Sequence, residues 1–229
     1  MLDGLAGGPK RAVLPVRLRG ALGVIAGCAA AVVAVVGMVY AGHRAPGRVD
    51  RWFVAPTADA VRPPWRWVAV GVDFLGDPAG AVALVALAVA GLVLLRDPRA
   101  AVFVVAATGA TVATVVVVKP LVARTIHGEG NLSYPSGHTA FLTAFALVLA
   151  LLLAGRLGLG RTAGTLLVLA ASLAAGLSMG WAQVAISAHY PTDALGGWCT
   201  ALVVVPGTGW LVDRTARGAE VTRCAGTPV

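Results

Sequence analysis

The sequence predicts an all-α fold, an integral membrane bundle of six transmembrane helices. Three observations carry that prediction. Only 12% of the 229 residues are charged and mean hydropathy is +0.84, whereas soluble domains carry about 25% charged residues. Apolar runs of roughly 20 residues recur, each long enough to cross about 30 Å of hydrocarbon at about 1.5 Å per residue. The polar residues between them gather into short islands, two of which hold His138 and His189.

The length suits one domain. The net charge of +8 fits positive-inside topology and attraction to anionic lipid or phosphate. No basic run with interleaved aromatics occurs, so nucleic acid is not an expected partner. Cys28, Cys199 and Cys224 form no C-x-x-C pair. They read as small apolar fillers, with neither a zinc site nor a disulfide framework behind them.

Residues 1–19 form a basic N-terminal segment with Lys10, Arg11, Arg17 and Arg19. The membrane domain is expected over 20–212. Its first span covers about 20–41, too long for a signal-peptide core. Residues 42–66 mix Arg44, Arg48, Arg51, Arg62, Asp50 and Asp59 with Trp52, Phe53 and Trp65. That mixture predicts an interfacial loop with a short amphipathic helix on the headgroups.

The second span starts near Trp67, is interrupted from Asp73 to Pro78, and resumes to Leu95. Asp73 and Asp77 are read as marking the end or a kink of this span. The third span runs over about 100–118 to Lys119-Pro120, the fourth over about 138–154, the fifth over about 162–184 and the sixth over about 193–212. Residues 213–229 are expected to be a loosely ordered polar tail. Abundant Ala, Gly and Val allow close helix packing in lipid.

Six spans put both termini on one side. That side holds 11 of the 18 Lys and Arg residues, so the termini are expected in the cytoplasm and both histidine islands outside.

The first island is Tyr134-Pro135-Ser136-Gly137-His138-Thr139 at the mouth of the fourth span. Ser136 is placed to cap the helix, and the first-turn amides point at whatever occupies the mouth. With Lys119 and Arg124 nearby, this is an anion site suited to phosphate. The second island is His189-Tyr190-Pro191-Thr192-Asp193. Given a helical turn, the i,i+4 spacing lets Asp193 hold one ring nitrogen of His189 and leave the other free as nucleophile. His138 is then the partner acid and base. No metal-ligand cluster stands out in the sequence, and neither metal nor other cofactor is expected, since cationic side chains and amides can bear the charge of phosphoryl transfer.

At these residues the chain resembles the type 2 phosphatidic acid phosphatase (PAP2) superfamily of membrane lipid phosphatases. Its motifs are K-x6-R-P, P-S-G-H and S-R-x5-H-x3-D. Lys119 matches the start of the first, Pro135-Ser136-Gly137-His138 the second, and His189 with Asp193 the end of the third. The resemblance covers about residues 65–212. Two places depart from it: Ile126-His127 stands for Arg-Pro, and Ala182-Gln183 for Ser-Arg. Arg124 lies two residues early, in reach of the same role, and Gln183 can donate hydrogen bonds without charge.

The resemblance implies a plasma-membrane enzyme hydrolysing a lipid phosphate or diphosphate outside the cytoplasm, of polyprenyl diphosphate, phosphatidic acid or phosphatidylglycerol phosphate type. His189, His138 and Asp193 are the expected catalytic residues. Lys119, Arg124, Ser136, Gly137 and Gln183 are the expected phosphate ligands. The alternative is a lipid-phosphate binder or transporter that does not hydrolyse. A haem or quinone protein fits poorly, because the histidines sit at span ends.

Overall fold

The structure is a computed structural model. It describes residues 12–58 and 61–225, without the side chains of residues 55, 56, 58 and 219–225. Lys10, Arg11, Asp59 and the side chains of Arg223 and Cys224 therefore lie outside the described residues.

A 3₁₀ turn at Val16–Leu18 leads into α1 (Arg19–Val39). A short helix α2 (Arg48–Ala58) follows, then α3 (Trp65–Phe74) and α4 (Pro78–Leu94). The long helices are α5 (Pro98–Val122), α6 (Gly137–Arg156), α7 (Arg161–Ala185) and α8 (Pro191–Ala225). There is no strand among the described residues, only an isolated antiparallel bridge between Thr125 and Leu132. Among the described residues five helices are long and apolar enough to cross a membrane, or six if α3 and α4, bent by 62°, count as one span. The chain is thus an all-helical, multi-pass membrane protein.

Local chemistry explains the helix starts. Asp77-Pro78 and Asp97-Pro98 both place proline in the first turn, where its missing N–H costs no hydrogen bond. Asp97 also caps α5 by accepting from the Ala100 amide at 3.1 Å. Asp77 stands at the same position of α4, yet its carboxylate makes no capping bond.

In the centre, α6 packs against α5, α7 and α8. Its buried face carries Ala140, Ala144, Leu147, Leu151 and Ala154. Phe103 and Val104 of α5 and Leu202 and Val205 of α8 complete the core. The outward faces carry exposed Val24, Leu87, Leu94, Val116 and Leu166, as lipid contact requires. Trp52 and Phe53 of α2 and Trp65 and Trp67 of α3 are exposed too, the aromatic pattern of a membrane interface.

Helix α8 reaches the first histidine island through two glycines. A Cβ on Gly196 would lie 2.3 Å from the Tyr134 ring, and one on Gly197 2.4 Å from the Ser136 carbonyl oxygen. Only a bare backbone fits there. At its far end α8 does not stop near Val212 but continues to Ala225. Asp213 anchors α8 just past the expected end of the span. Fully buried, it accepts from Arg19 at 2.9 Å, Arg99 at 2.8 Å and the amides of Val13 and Leu14. Residues 13–19 are thereby tied to α5 and α8.

Candidate active site

Three connections meet at one end of the bundle: the α3–α4 bend, the α5–α6 loop and the α7–α8 loop. Ser136 is the N-cap of α6. Its Oγ accepts from the Thr139 amide at 3.4 Å and its own amide donates to the Asp193 carbonyl at 2.9 Å. The hydroxyl is buried and engaged with its helix, while the amides of Gly137 and His138 have no partner among the described residues. Those two N–H groups carry the positive end of α6. Lys119, half-buried in the last turns of α5, donates from Nζ to the Leu132 carbonyl at 2.7 Å.

His189 lies just before α8 rather than within a helical turn. Asp193 curls back to it: Oδ2 accepts from the Tyr190 amide at 3.0 Å and stands 3.6 Å from His189 Nδ1. That separation is an ion-pair distance, longer than a hydrogen bond. Nδ1 is buried without a hydrogen-bond partner. Burial drives the imidazole toward its neutral form and pushes its pKa below the ordinary 6.5, although Asp193 pulls the other way. Lys119 and His138 are close enough for their charges to act on it in the same downward direction.

Arg124 is committed to protein partners. It is fully buried. Nη1 donates to Thr192 Oγ1 at 2.6 Å and Asp193 Oδ1 at 2.7 Å, and Nη2 to Asp50 Oδ2 at 2.5 Å. The guanidinium also lies 4.1 Å from the Tyr40 ring centroid and 4.5 Å from that of Tyr190, within cation–π range. The Thr125–Leu132 bridge makes this segment extended, so Arg124 and Ile126, two residues apart, both point inward. Arg124 is a buried brace behind Asp193: three of its five N–H groups are engaged, and the other two, on Nε and Nη2, belong to a fully buried side chain.

Asp50, within the interfacial segment, had no sequence signal of its own. Its carboxylate accepts from the Thr192 amide at 3.1 Å, Thr192 Oγ1 at 2.8 Å and the Gly47 amide at 2.9 Å. Burial alone would raise its pKa; the hydrogen bonds from Thr192, Arg124 and Gly47 outweigh that and hold it below the ordinary 3.8.

The α3–α4 bend faces His138. Its Nε2 is 3.1 Å from Asp77 Oδ1 and 3.6 Å from Asp73 Oδ1. Gln183, buried on α7, donates to Asp73. It is engaged with a carboxylate, not held free for a phosphate. Asp73, Asp77 and His138 offer ligand atoms within 4.8 Å of one another and are the described residues that could hold a metal ion. The sequence did not suggest this set, because the histidine is 61 positions from Asp77. The signal available was two carboxylates interrupting an apolar span, where charge is costly and usually functional. His127 stays at the rim, paired with the Ser187 carbonyl at 2.6 Å.

Below this end, an open apolar groove of about 460 Å³ runs between α4, α5 and α6, lined by Ala81, Val85, Thr108, Val112 and Phe141. Phe141 is one turn from His138, and Ala81 one turn from Asp77.

Residues 114–216 match the family model of the PAP2 superfamily. The chain is also similar in structure to a transmembrane PAP2-type phosphatidylglycerolphosphate phosphatase from Bacillus subtilis. That similarity has a TM-score of 0.63 at 18% sequence identity and covers 89% of this chain and 98% of that one. No curated protein matches. Residues 114–216, which carry both histidine islands, thus match the PAP2 superfamily model, and the chain's fold is similar to that of a transmembrane PAP2-type phosphatase.

Proposed function

We propose that the protein is a membrane lipid phosphatase that works through a phosphohistidine. The observation that carries this reading is the pair of histidines. His138 and His189 come from different parts of the chain, each has a carboxylate at one nitrogen, Lys119 and His138 are near enough to His189 to act on its charge, and His138 stands one turn from Phe141 of the apolar groove. A purely structural pair has no use for a buried, neutral histidine backed by a braced aspartate.

In the first step His189 Nε2 attacks phosphorus, and the bond from phosphorus to the lipid oxygen breaks. His138 gives its proton to that oxygen. In the second step a water oxygen bonds to phosphorus, the phosphorus–nitrogen bond breaks, and His138 takes the water's proton. Asp193 stabilises the positive charge that His189 acquires. Lys119 and the Gly137 and His138 amides bear the phosphate charge. Ser136 shapes that helix mouth, while Arg124 and Gln183 act through Asp193 and Asp73. The lipid chains lie in the groove beneath Phe141, so substrates of phosphatidic acid, phosphatidylglycerol phosphate or polyprenyl diphosphate type fit. The positive-inside bias supports a plasma-membrane site on the extracytoplasmic face, with residues 1–19 and 213–229 in the cytoplasm and 20–212 as the membrane domain.

The test is phosphate release from a panel of lipid phosphates by the purified chain in detergent, compared with His189→Ala. Release by the parent and a loss of about 100-fold or more in the variant are expected. Binding of lipid phosphate without release would favour a carrier. Release unchanged by the substitution would sink the mechanism.

A further inference from the structure

His189 has a carboxylate that the motif supplies. His138 has two that no motif supplies. Asp77 Oδ1 lies 3.1 Å and Asp73 Oδ1 3.6 Å from the same atom, Nε2 of His138. Among the described residues Nε2 has no other partner and Nδ1 has none.

Three features make this more than a chance meeting of charges. Asp77 occupies the N-cap of α4, where an aspartate ordinarily accepts an amide of its own helix. Asp97 does so at the start of α5, but Asp77 makes no such bond and turns to His138 instead. Asp73 is held from behind by Gln183, a buried side chain on another helix. The backbone of the bend also comes up against the ring: a Cβ on Gly76 would lie 2.5 Å from His138 Cδ2. A 62° break in the helix pair thus brings two carboxylates and a bare glycine onto one imidazole.

We propose that Asp77, assisted by Asp73, is the positioning residue for His138 as general acid and base; this rests on the phosphatase reading above. The carboxylates accept the Nε2 proton, which fixes the orientation of the ring. Nδ1 is left as the atom that works. Its proton passes to the leaving lipid oxygen as the phosphorus–oxygen bond breaks. Its lone pair then takes a proton from the water whose oxygen bonds to phosphorus. The Nε2 proton stays in place throughout. The two histidines are served alike, each with one nitrogen directed at a carboxylate and the other facing the substrate.

The test is leaving-group dependence. An alkyl lipid phosphate needs its leaving oxygen protonated, whereas p-nitrophenyl phosphate leaves as a stabilised phenolate and needs little help. Asp77→Asn in the full chain is expected to lower kcat for short-chain phosphatidic acid by about 10- to 100-fold, within the range of general acid catalysis. For p-nitrophenyl phosphate it should cost less than about threefold. Combined with His138→Ala, Asp77→Asn should add almost nothing, because the two residues act as one unit. Asp77→Glu, which keeps the carboxylate, should recover part of the loss and controls for folding damage.

Equal losses for both substrates, or full additivity with His138→Ala, would overturn the proposal. So would loss of parent activity in EDTA with recovery on adding a divalent ion, which would assign the same three ligands to a cation. If the parent releases phosphate from neither substrate, or His189→Ala matches it, the phosphatase reading itself fails.

Discussion

Arg124 Nη1 lies 2.7 Å from Asp193 Oδ1, and both side chains are fully buried. The second arm of the guanidinium holds Asp50 of α2 at 2.5 Å. One arginine therefore joins the interfacial helix to the start of α8. The aspartate that serves His189 is fixed from behind, because Oδ1 is committed to the brace and Oδ2 is left for Tyr190 N and the histidine.

Replacing Arg124 by alanine strands two buried carboxylates. Removing one partner of a buried ion pair costs about 3–5 kcal/mol. The variant should melt well below the parent in detergent, and phosphate release should fall even at temperatures where it stays folded. Arg124→Lys should rescue little, since a single ammonium cannot repeat the two-armed contact with Asp50, Thr192 and Asp193. An Arg124→Ala protein with parent stability and a raised KM alone would mean that the arginine contacts phosphate after all.

Lys119 is the cation of the expected set that keeps freedom to meet substrate, since its one bond is to a carbonyl. Lys119→Gln can preserve the bond to Leu132 while removing the charge. A charge-assisted contact is worth about 1.5–3 kcal/mol, so kcat/KM for lipid phosphate should fall by about 10- to 100-fold with little change in melting temperature. Parallel loss of stability would assign Lys119 to holding the α5–α6 loop instead.

His189 makes the protein sensitive to acid. Its folded pKa lies below 6.5 because burial penalises the charged ring. Once pH falls below that ordinary value, the unfolded chain binds a proton that the folded chain refuses. The stability contribution is therefore intact above about 6.5 and is lost as pH falls toward the depressed folded value. His189→Gln should flatten this part of the stability profile. Catalysis follows the same sign: a nucleophile that stays neutral keeps kcat/KM from falling at 6.5, and the limb appears at lower pH. Asp50 adds a second window further down, because its depressed pKa gives stability that is present above 3.8 and lost below it. Melting curves from pH 4 to 8, with His189→Gln beside the parent, measure the first window directly.

Much of this protein is legible in the chain itself. The spans follow from apolar runs of membrane length, and the broken second span follows from Asp73 to Pro78 interrupting one of them. Ser136 as a cap and the nearness of His189 to Asp193 are local, set within three or four residues. What the chain alone left open is which buried charge meets which. Arg124 finds Asp50 and Asp193 from 74 and 69 positions away, and Asp77 finds His138 from 61. Position in a motif suggested that Arg124 and Gln183 would face phosphate; in the folded chain the α5–α6 loop and helix α7 set them against carboxylates. The reason is electrostatic and steric together. A charge enclosed by helices must have a counter-charge, and only the packing of the α2 helix, the α3–α4 bend and the two glycines of α8 determines which carboxylate is within reach.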